Sequence, residues 1–507
     1  MFVFFKYFIY LLLVLSVILF YLLFTPMGNS TVYGLISTQL SEKTDVQIEV
    51  KDIILSEYPQ VHIEVNIQRK AKLILDGYLD DTRMNMDYTL TSDCIATEEC
   101  KIDDIINIHG NVQGLFSRLM LKGQGTALDG KIKYQAIKYP NKVEDITLDM
   151  YDINSTKLLR LLGQTALIKG KANASVHFDI MSNTHKRGVI TYDVKDKDFQ
   201  GIPLSLHTKV KIQDDTHTFI MDATSPHLLL HITKGIYQQE AKTAKAHYVL
   251  DIQDLSKLES LLGNKYRGSF YAMGEISYGK DFTVTGLSKS FGGMTDFVFE
   301  KEGLSVTLKD AQLHQILHLF PFPTILTAHA TGKLYYNFVQ ETLVVNTTLK
   351  NAKFLHCKLV DVIYKKAGVN LLHETFDNSS LNLTYHNSII LGDLHLANER
   401  SHIYLNNTTI NTQKSTINAY FDFKMQKQEF AGKVYGPLDK PKVNLNMQKL
   451  VRYQMDKQVD KLIGKNTRKI IESMPLGNVA KDLATDVGAS FMKVFFLGQH
   501  SISFNPI

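Results

Sequence analysis

Two histidines four positions apart have the spacing in this chain that is best suited to a metal ion. His314 and His318 lie in the stretch KDAQLHQILHLF, and His329 follows a short distance along the chain. Positions i and i+4 share one face of a helix, and imidazole nitrogens are common zinc ligands. The two histidines flank a leucine stripe, however, which favours side chains that face solvent. The sequence therefore predicts no metal site and no cofactor.

Paired carboxylates are the second set of residues that could do chemistry, as a general acid and a general base. The chain lacks the G-x-S-x-G, H-E-x-x-H, P-loop and EF-hand motifs that would place such groups in a known active site. We interpret the carboxylate pairs as turn residues, because aspartate side chains bond readily to the backbone of a turn. The sequence therefore predicts that the protein is not an enzyme. The pairs are Asp80/Asp81, Asp103/Asp104 and Asp214/Asp215.

The glycine-rich stretch GQGTALDG contains Gly123, Gly125 and Gly130. Its spacing does not match the G-x-G-x-x-G fingerprint of a dinucleotide site. We interpret it as a hairpin with glycine at its turns.

Two of the three cysteines are close in sequence. Cys94 and Cys100 lie in SDCIATEECK between two strand-like segments, whereas Cys357 stands alone. Disulfides persist outside the cytoplasm, so a Cys94–Cys100 bridge is one interpretation and two unpaired thiols are the other. A zinc site is disfavoured, because no second Cys/His pair lies nearby.

Three short segments share the spacing Leu-x-x-Leu-Leu, each between two alternating strands. Apolar residues at i, i+3 and i+4 occupy one face of a two-turn helix, which is too short to be stable alone. Unless this common spacing recurs by chance, it predicts a repeat of strands plus one crossing helix. Glycine ends the first two segments and a Pro-rich turn ends the third. The apolar positions are Leu158, Leu161 and Leu162, then Leu258, Leu261 and Leu262, and then Leu313, Ile316 and Leu317.

Most of the remaining chain alternates apolar and polar residues with a period of two, which predicts antiparallel strands. Examples are 61–67, 84–90, 131–137, 204–212, 381–386, 417–423 and 442–447, with turn signals at Leu79–Asp81, Asp129–Gly130, Gln213–Asp215 and Asn406–Asn407. The predicted fold is mainly β, an elongated antiparallel sheet with short crossing helices. The sheet either curls into an apolar groove or pairs as a sandwich. If it is a groove, Leu204, Leu206, Val210 and Ile212 line it.

The two ends of the chain differ from this body. Residues 1–27 include a long apolar run with the single charge Lys6, which predicts an uncleaved transmembrane anchor with a cytoplasmic N-terminus. A cleaved signal peptide is the alternative. Residues 448–507 predict amphipathic helices with a basic face, which either cap the body, 28–447, or lie on an anionic membrane. A net charge of +5 without a basic run in the body gives no sign of nucleic-acid binding.

The anchor, the strand meanders broken by leucine-rich helices, and the closing stretch GKVYGPLDKPKVNLNMQKL together resemble the AsmA family. Gly436–Leu445, GPLDKPKVNL, is the most specific part and is similar to the G-x-L-x-x-P-x-V ending of that family. The resemblance implies an inner-membrane protein of a Gram-negative bacterium whose periplasmic β-groove, related to TamB and chorein-type bridge proteins, holds phospholipid acyl chains. The chain is short for the family and has no recognisable TamB-like outer-membrane domain.

These features together predict an inner-membrane-anchored periplasmic protein that binds phospholipid in an apolar groove. Its role would be lipid transport between membranes or outer-membrane assembly, with an outer-membrane or envelope protein as a further partner. The alternative is an envelope scaffold or outer-membrane protein assembly factor that binds proteins and carries no lipid.

Overall fold

The structure is a computed structural model that describes residues 47–54, 58–67, 70–95, 102–263, 265–319, 326–356, 370–425, 428–437 and 442–446, together with 37, 38, 41 and 360. The predicted anchor, 1–27, and the predicted amphipathic segment, 448–507, lie outside these residues. None of the helices described is both long enough and apolar enough to cross a bilayer.

The described chain forms an antiparallel sheet of 26 strands that does not close on itself, so the prediction of a mainly β fold with few helices is confirmed. The chain divides into two compact units, Met1–Pro226 with Leu230–Ala246, and His227–Leu229 with His247–Ile507. The boundary lies within the predicted body, 28–447.

The first unit contains strands in which apolar and polar residues alternate, joined mainly by short turns. They are β1 (Ile48–Ile54), β2 (Gln60–Ile67), β3 (Ala71–Leu79), β4 (Arg83–Ile95), β5 (Ile102–Leu115), β6 (Arg118–Ala127), β7 (Gly130–Lys138), β8 (Lys142–Asn154), β9 (Lys171–Ser182), β10 (Lys186–Phe199), β11 (Ile202–Gln213), β12 (Thr216–Ser225) and most of β13 (Leu228–Gln238). From β1 to β12 each strand pairs with the next in an antiparallel meander.

The second unit is a similar meander, and β14 (Thr243–Ile252) is divided between the two units. Consecutive strands pair from β15 to β26. The strands are β15 (Phe270–Tyr278), β16 (Phe282–Ser288), β17 (Met294–Glu300), β18 (Gly303–Gln312), β19 (Leu326–Asn337), β20 (Thr342–Phe354), β21 (Ser379–His386), β22 (Ile389–Ala397), β23 (His402–Asn411), β24 (Thr416–Met425), β25 (Gln428–Pro437) and β26 (Lys442–Asn446).

All three predicted crossing helices are present between strands. They are α1 (Ser155–Leu161), α2 (Glu259–Leu262), which follows a 3-10 turn at Leu255–Leu258, and α3 (Leu313–Leu319); a further 3-10 turn is Leu371–His373. Gly163 and Gly263 adopt left-handed backbone conformations, with φ of 71° and 68°. Gly163 follows Leu162, the C-cap of α1, and Gly263 directly follows α2. This is the C-terminal stop that the glycines predict.

The predicted leucine stripes are only partly buried. Leu158 and Leu258 are buried, whereas Leu161, Leu261 and Leu262 are half-buried and Leu162 is exposed. In α3, all three stripe positions are half-buried, and Leu313 and Ile316 pack against the core of their unit. The first two segments therefore bury only the first leucine of their stripe, and the third segment buries none of its stripe residues completely.

Two predicted turns are wrong. Asp103 and Asp104 lie within β5, where Cys94 is paired with Asp103, and Asn406–Asn407 lies within β23 at an irregularity opposite β22 and β24. In both cases, pairing with neighbouring strands overrides the local preference of Asp and Asn for turns. At Asn407 the preference survives as a positive φ of 49° inside the bulge.

Candidate functional site

The four predicted groove residues lie at alternate or nearly alternate positions of β11 and share one face of the sheet. Leu204 is buried, and Leu206, Val210 and Ile212 are half-buried. Leu206 packs against one apolar cluster of the first unit, and Ile212 packs against another. The structure therefore places these residues together on a surface that is apolar but incompletely covered.

Strand register extends this surface across five strands. Val210 of β11 is opposite Ile190 of β10 and Phe219 of β12, and the row continues through β9 and β8. Directly opposed side chains in an antiparallel sheet lie close enough to pack together. The full row is Leu148, Val176, Ile190, Val210 and Phe219. A second row, two positions along each strand, contains Met150, Ala174, Tyr192, Thr208 and Met221.

The burial of this face changes along the unit. On β2–β4 it is a packed core, where Ile63 and Met86 have no exposed surface. On β10–β12 the same face carries half-buried residues such as Ile190, Val210 and Phe219. We call the side-chain rows of β10–β12 on this side the open apolar face. In a sandwich, these rows would be buried against a second sheet. The described part of the chain, however, forms a single sheet.

The reverse side of the same strands is polar. Asp193, His207 and Asp222 are directly opposite one another on β10, β11 and β12. His207 Nδ1 lies 2.6 Å from Asp193 Oδ1, and His231 of β13 hydrogen-bonds to Asp222. Sequence reasoning missed this row, because its members are 9 to 15 residues apart and meet only through strand register. It marks the side that faces water.

Glycines make room for tyrosines on the apolar side of β4–β7. Tyr88, Gly110, Gly123 and Tyr134 are directly opposite one another on consecutive strands. A Cβ atom on either glycine would lie 2.5 Å from a tyrosine hydroxyl, so both rings cover the glycine backbone. The two hydroxyls hydrogen-bond to each other, and burial raises the pKa of Tyr134 to about 12. Gly123 and Gly125 therefore both lie within β6, and their interpretation as turn residues is wrong.

Replacing Gly110 by Ala is expected to lower the free energy of unfolding by about 1–3 kcal/mol, the usual cost of overpacking. The new Cβ would lie 2.2 Å from the backbone oxygen of Lys122 and 2.5 Å from the Tyr88 hydroxyl. Urea unfolding measures the change. His109→Ala, on the exposed side of the same strand, should change stability by less than about 0.5 kcal/mol. Equal stability of the two variants would contradict this role of Gly110.

Helix α1 is fixed to the sheet by an ion-pair cluster. Lys157 Nζ lies 2.8 Å from Asp104 Oδ1 and 2.6 Å from Asp129 Oδ1. The side chain of Asp104 is only 2% exposed, and its carboxylate also accepts a hydrogen bond from the Leu128 N–H. Burial opposes the charge on Lys157, but hydrogen bonds to both carboxylates outweigh burial and raise its pKa. The cluster positions the helix at the end of the strands.

The other carboxylate pairs behave as predicted turn residues. Asp80 accepts hydrogen bonds from the backbone N–H groups of Thr82 and Arg83, and Asp214 accepts one from the N–H of Lys186. The hydrogen bond from the Tyr78 hydroxyl, with those from the backbone, holds the pKa of Asp80 well below its usual range. Asp104 is the exception, as a buried ion-pair partner.

The candidate histidines have separate partners. His314 Nδ1 lies 3.4 Å from Thr327 Oγ1, and His329 Nδ1 lies 3.1 Å from Asp310 Oδ1. His318 is exposed on α3. Within the ranges that the structure describes, no three His, Cys, Asp or Glu side chains converge as metal ligands.

Cys94, near the end of β4, is part of a disulfide. Cys100 and Cys357 lie outside the described residues, so the Cys94–Cys100 pairing stays a prediction.

The arrangement of the first unit thus combines an open apolar face, a polar reverse side and a helix fixed across one end. Such a surface can hold an apolar chain without forming a covalent bond to it. No protein-family model, no curated protein and no solved structure matches this chain.

Proposed function

We propose that this protein binds acyl chains of membrane phospholipids along the open apolar face. By doing so it supports lipid transport between membranes or outer-membrane assembly. The observation that carries the proposal is the half-buried state of Val210, Ile190 and Phe219 in continuous apolar rows. Contiguous apolar side chains that stay partly exposed are a feature of ligand-binding and interaction sites.

The dimensions of the rows are consistent with an acyl chain. Strands lie about 4.8 Å apart, so the three strands β10–β12 of the open apolar face span about 10 Å. One leaflet of a bilayer contributes half of a hydrocarbon core of about 30 Å. A row that crosses these three strands can therefore contact about two thirds of one acyl chain.

The cellular setting of the proposal comes from the sequence. The apolar segment 1–27 would anchor the protein in the inner membrane, and the AsmA-like closing stretch Gly436–Leu445 is typical of periplasmic proteins with lipid-holding grooves. We include both in the proposal, with phospholipid as the partner and no cofactor or catalytic step.

A scaffold that binds other envelope proteins is the second candidate. The packed core on β2–β4, where Ile63 and Met86 are fully buried, favours it for that part of the unit, since no ligand can reach a dry core. The scaffold would carry no lipid on the open apolar face of β10–β12, so lipid content separates the two candidates.

Native mass spectrometry of the full-length protein, released from detergent in the instrument, tests the proposal. We expect adducts with the masses of phospholipids that persist after the detergent is removed. Val210→Asp should reduce these adducts. The control Thr218→Asp, on the polar side, should retain them. A wild-type protein that carries no phospholipid would favour the scaffold.

A further inference from the structure

Hairpin turns of the second unit place aromatic side chains at one end of its strands. Phe282 begins β16, Phe299 lies next to the turn between β17 and β18, and Phe338 lies in the turn between β19 and β20. Their rings form a chain of contacts that ends at Tyr336, with centroid separations of 6.4, 5.3 and 5.4 Å. We call these four rings the aromatic rim.

The aromatic rim continues the apolar face of this unit. Alternate residues of a strand lie on the same side of a sheet. The residues two positions further into the strands, Val284, Phe297 and Leu334, are half-buried and apolar. An apolar surface therefore runs from the interior of the sheet to the hairpin turns without a polar break.

This end of the strands is exposed, whereas the opposite end is covered. Phe282 is 43% exposed and Val339, at the tip of the turn between β19 and β20, is 78% exposed. At the other end of the same strands, α3 packs Leu313 and Ile316 against the core. A helix thus covers one end of the strands, and aromatic side chains are exposed at the other end.

The aromatic side chains are not required to form the hairpins. In the first unit, the turns between β9 and β10 and between β11 and β12 consist of Ser182–Lys186 and Gln213–Thr216. Neither contains a large exposed apolar side chain. These polar turns show that the same strand geometry forms without a rim.

The charges at the aromatic turns indicate what kind of surface would fit. Lys280 is next to Asp281, Lys301 lies between Glu300 and Glu302, and Glu341 lies two positions after Val339. A surface that binds anionic lipid needs an excess of basic residues, which these turns lack. Aromatic and aliphatic side chains without excess positive charge suit the interfacial layer of a neutral membrane.

We infer that the aromatic rim and Val339 dock on the surface of a zwitterionic phospholipid bilayer. The inference rests on the proposed function, because docking would bring the apolar face of the sheet next to the lipids it binds. The rim would lie at the level of the headgroups, with Val339 reaching beyond them.

Vesicle capture tests this inference. Full-length protein held in nanodiscs is mixed with vesicles of phosphatidylcholine and phosphatidylethanolamine, and the captured vesicles are measured by flotation. We expect Val339→Asp and Phe282→Ser each to capture about tenfold fewer vesicles than the unmodified protein, a factor equivalent to ~1.4 kcal/mol. Leu167→Asp is the matched control, because Leu167 is 71% exposed in a loop of the first unit. It should capture vesicles normally.

Two outcomes would overturn the inference. The first is unchanged vesicle capture by both variants; if both variants at the same time lose a crosslink to an envelope protein, the rim is a protein-binding surface. The second is capture that occurs only when the vesicles contain anionic lipid. Lipid content is measured separately, so a wild-type protein without bound lipid would reject the proposed function while the capture result still decides the role of the rim.

Discussion

Replacing Val210 by Asp is expected to remove most of the bound lipid from the protein while leaving the protein folded. Val210 is half-buried on the open apolar face, opposite Ile190 and Phe219. A carboxylate there can reach water when the face is empty, so the fold tolerates it. An acyl chain that covers the carboxylate would remove its water, which costs several kcal/mol for an unpaired charge. Lipid content, measured by native mass spectrometry, should fall at least about tenfold, since ~1.4 kcal/mol already gives that factor.

Two matched substitutions define the region to which this expectation applies. Thr218→Asp introduces the same charge at an exposed position beside Phe219 and should leave both lipid content and stability unchanged. Ile63→Asp introduces it into the packed core of β2, where the residue has no exposed surface, and the protein should then fail to accumulate. If Val210→Asp also fails to accumulate, the face at β11 is a closed core and the lipid proposal fails. If it keeps normal lipid content, this face does not hold the lipid.

Replacing Lys157 by Met is expected to lower the free energy of unfolding by about 3–5 kcal/mol, the usual cost of leaving a buried charge without its partner. The Asp104 carboxylate would keep one backbone hydrogen bond, from Leu128, but would lose the ammonium group 2.8 Å away. Lys171→Met serves as the control, because Lys171 is exposed and donates to the backbone oxygen of Asp129 at 3.2 Å rather than to a buried carboxylate. It should cost less than about 1 kcal/mol. Chemical unfolding of the two variants measures the difference, and equal losses would contradict the proposed anchoring of α1.

The same cluster predicts a dependence on pH. The hydrogen bond from Lys157 is the largest cause that lowers the pKa of Asp129 below its ordinary value of 3.8. Asp129 therefore stabilises the fold above that value, and this contribution is lost as pH falls through its lowered pKa. Lys157 has a raised pKa, so its contribution is complete below 10.5 and is lost as pH rises further. The stability difference between wild type and Lys157→Met should be constant between about pH 4 and pH 10 and shrink outside that window.

Local sequence was sufficient to predict the strands, the helices and the apolar side of β11. The alternation in LSLHTKVKI sets which side chains share a face, because successive side chains of a strand point to opposite sides. Gly163 and Gly263 end their helices as predicted, because glycine adopts a left-handed backbone conformation without steric cost. These features depend on residues within one turn or one strand, and their physical causes are therefore visible in the sequence.

Only the tertiary structure decided where the apolar face is packed and where it is open. The alternation is the same in β2, where Ile63 is fully buried, and in β11, where Val210 is half-buried. Likewise Tyr88 and Tyr134 meet across two glycines although they are 46 residues apart, and Asp104 meets Lys157 across 53 residues. Period-two patterning fixes the side of a strand on which a residue lies. What covers that side depends on segments that are distant in the sequence, and the local pattern of a strand does not encode them.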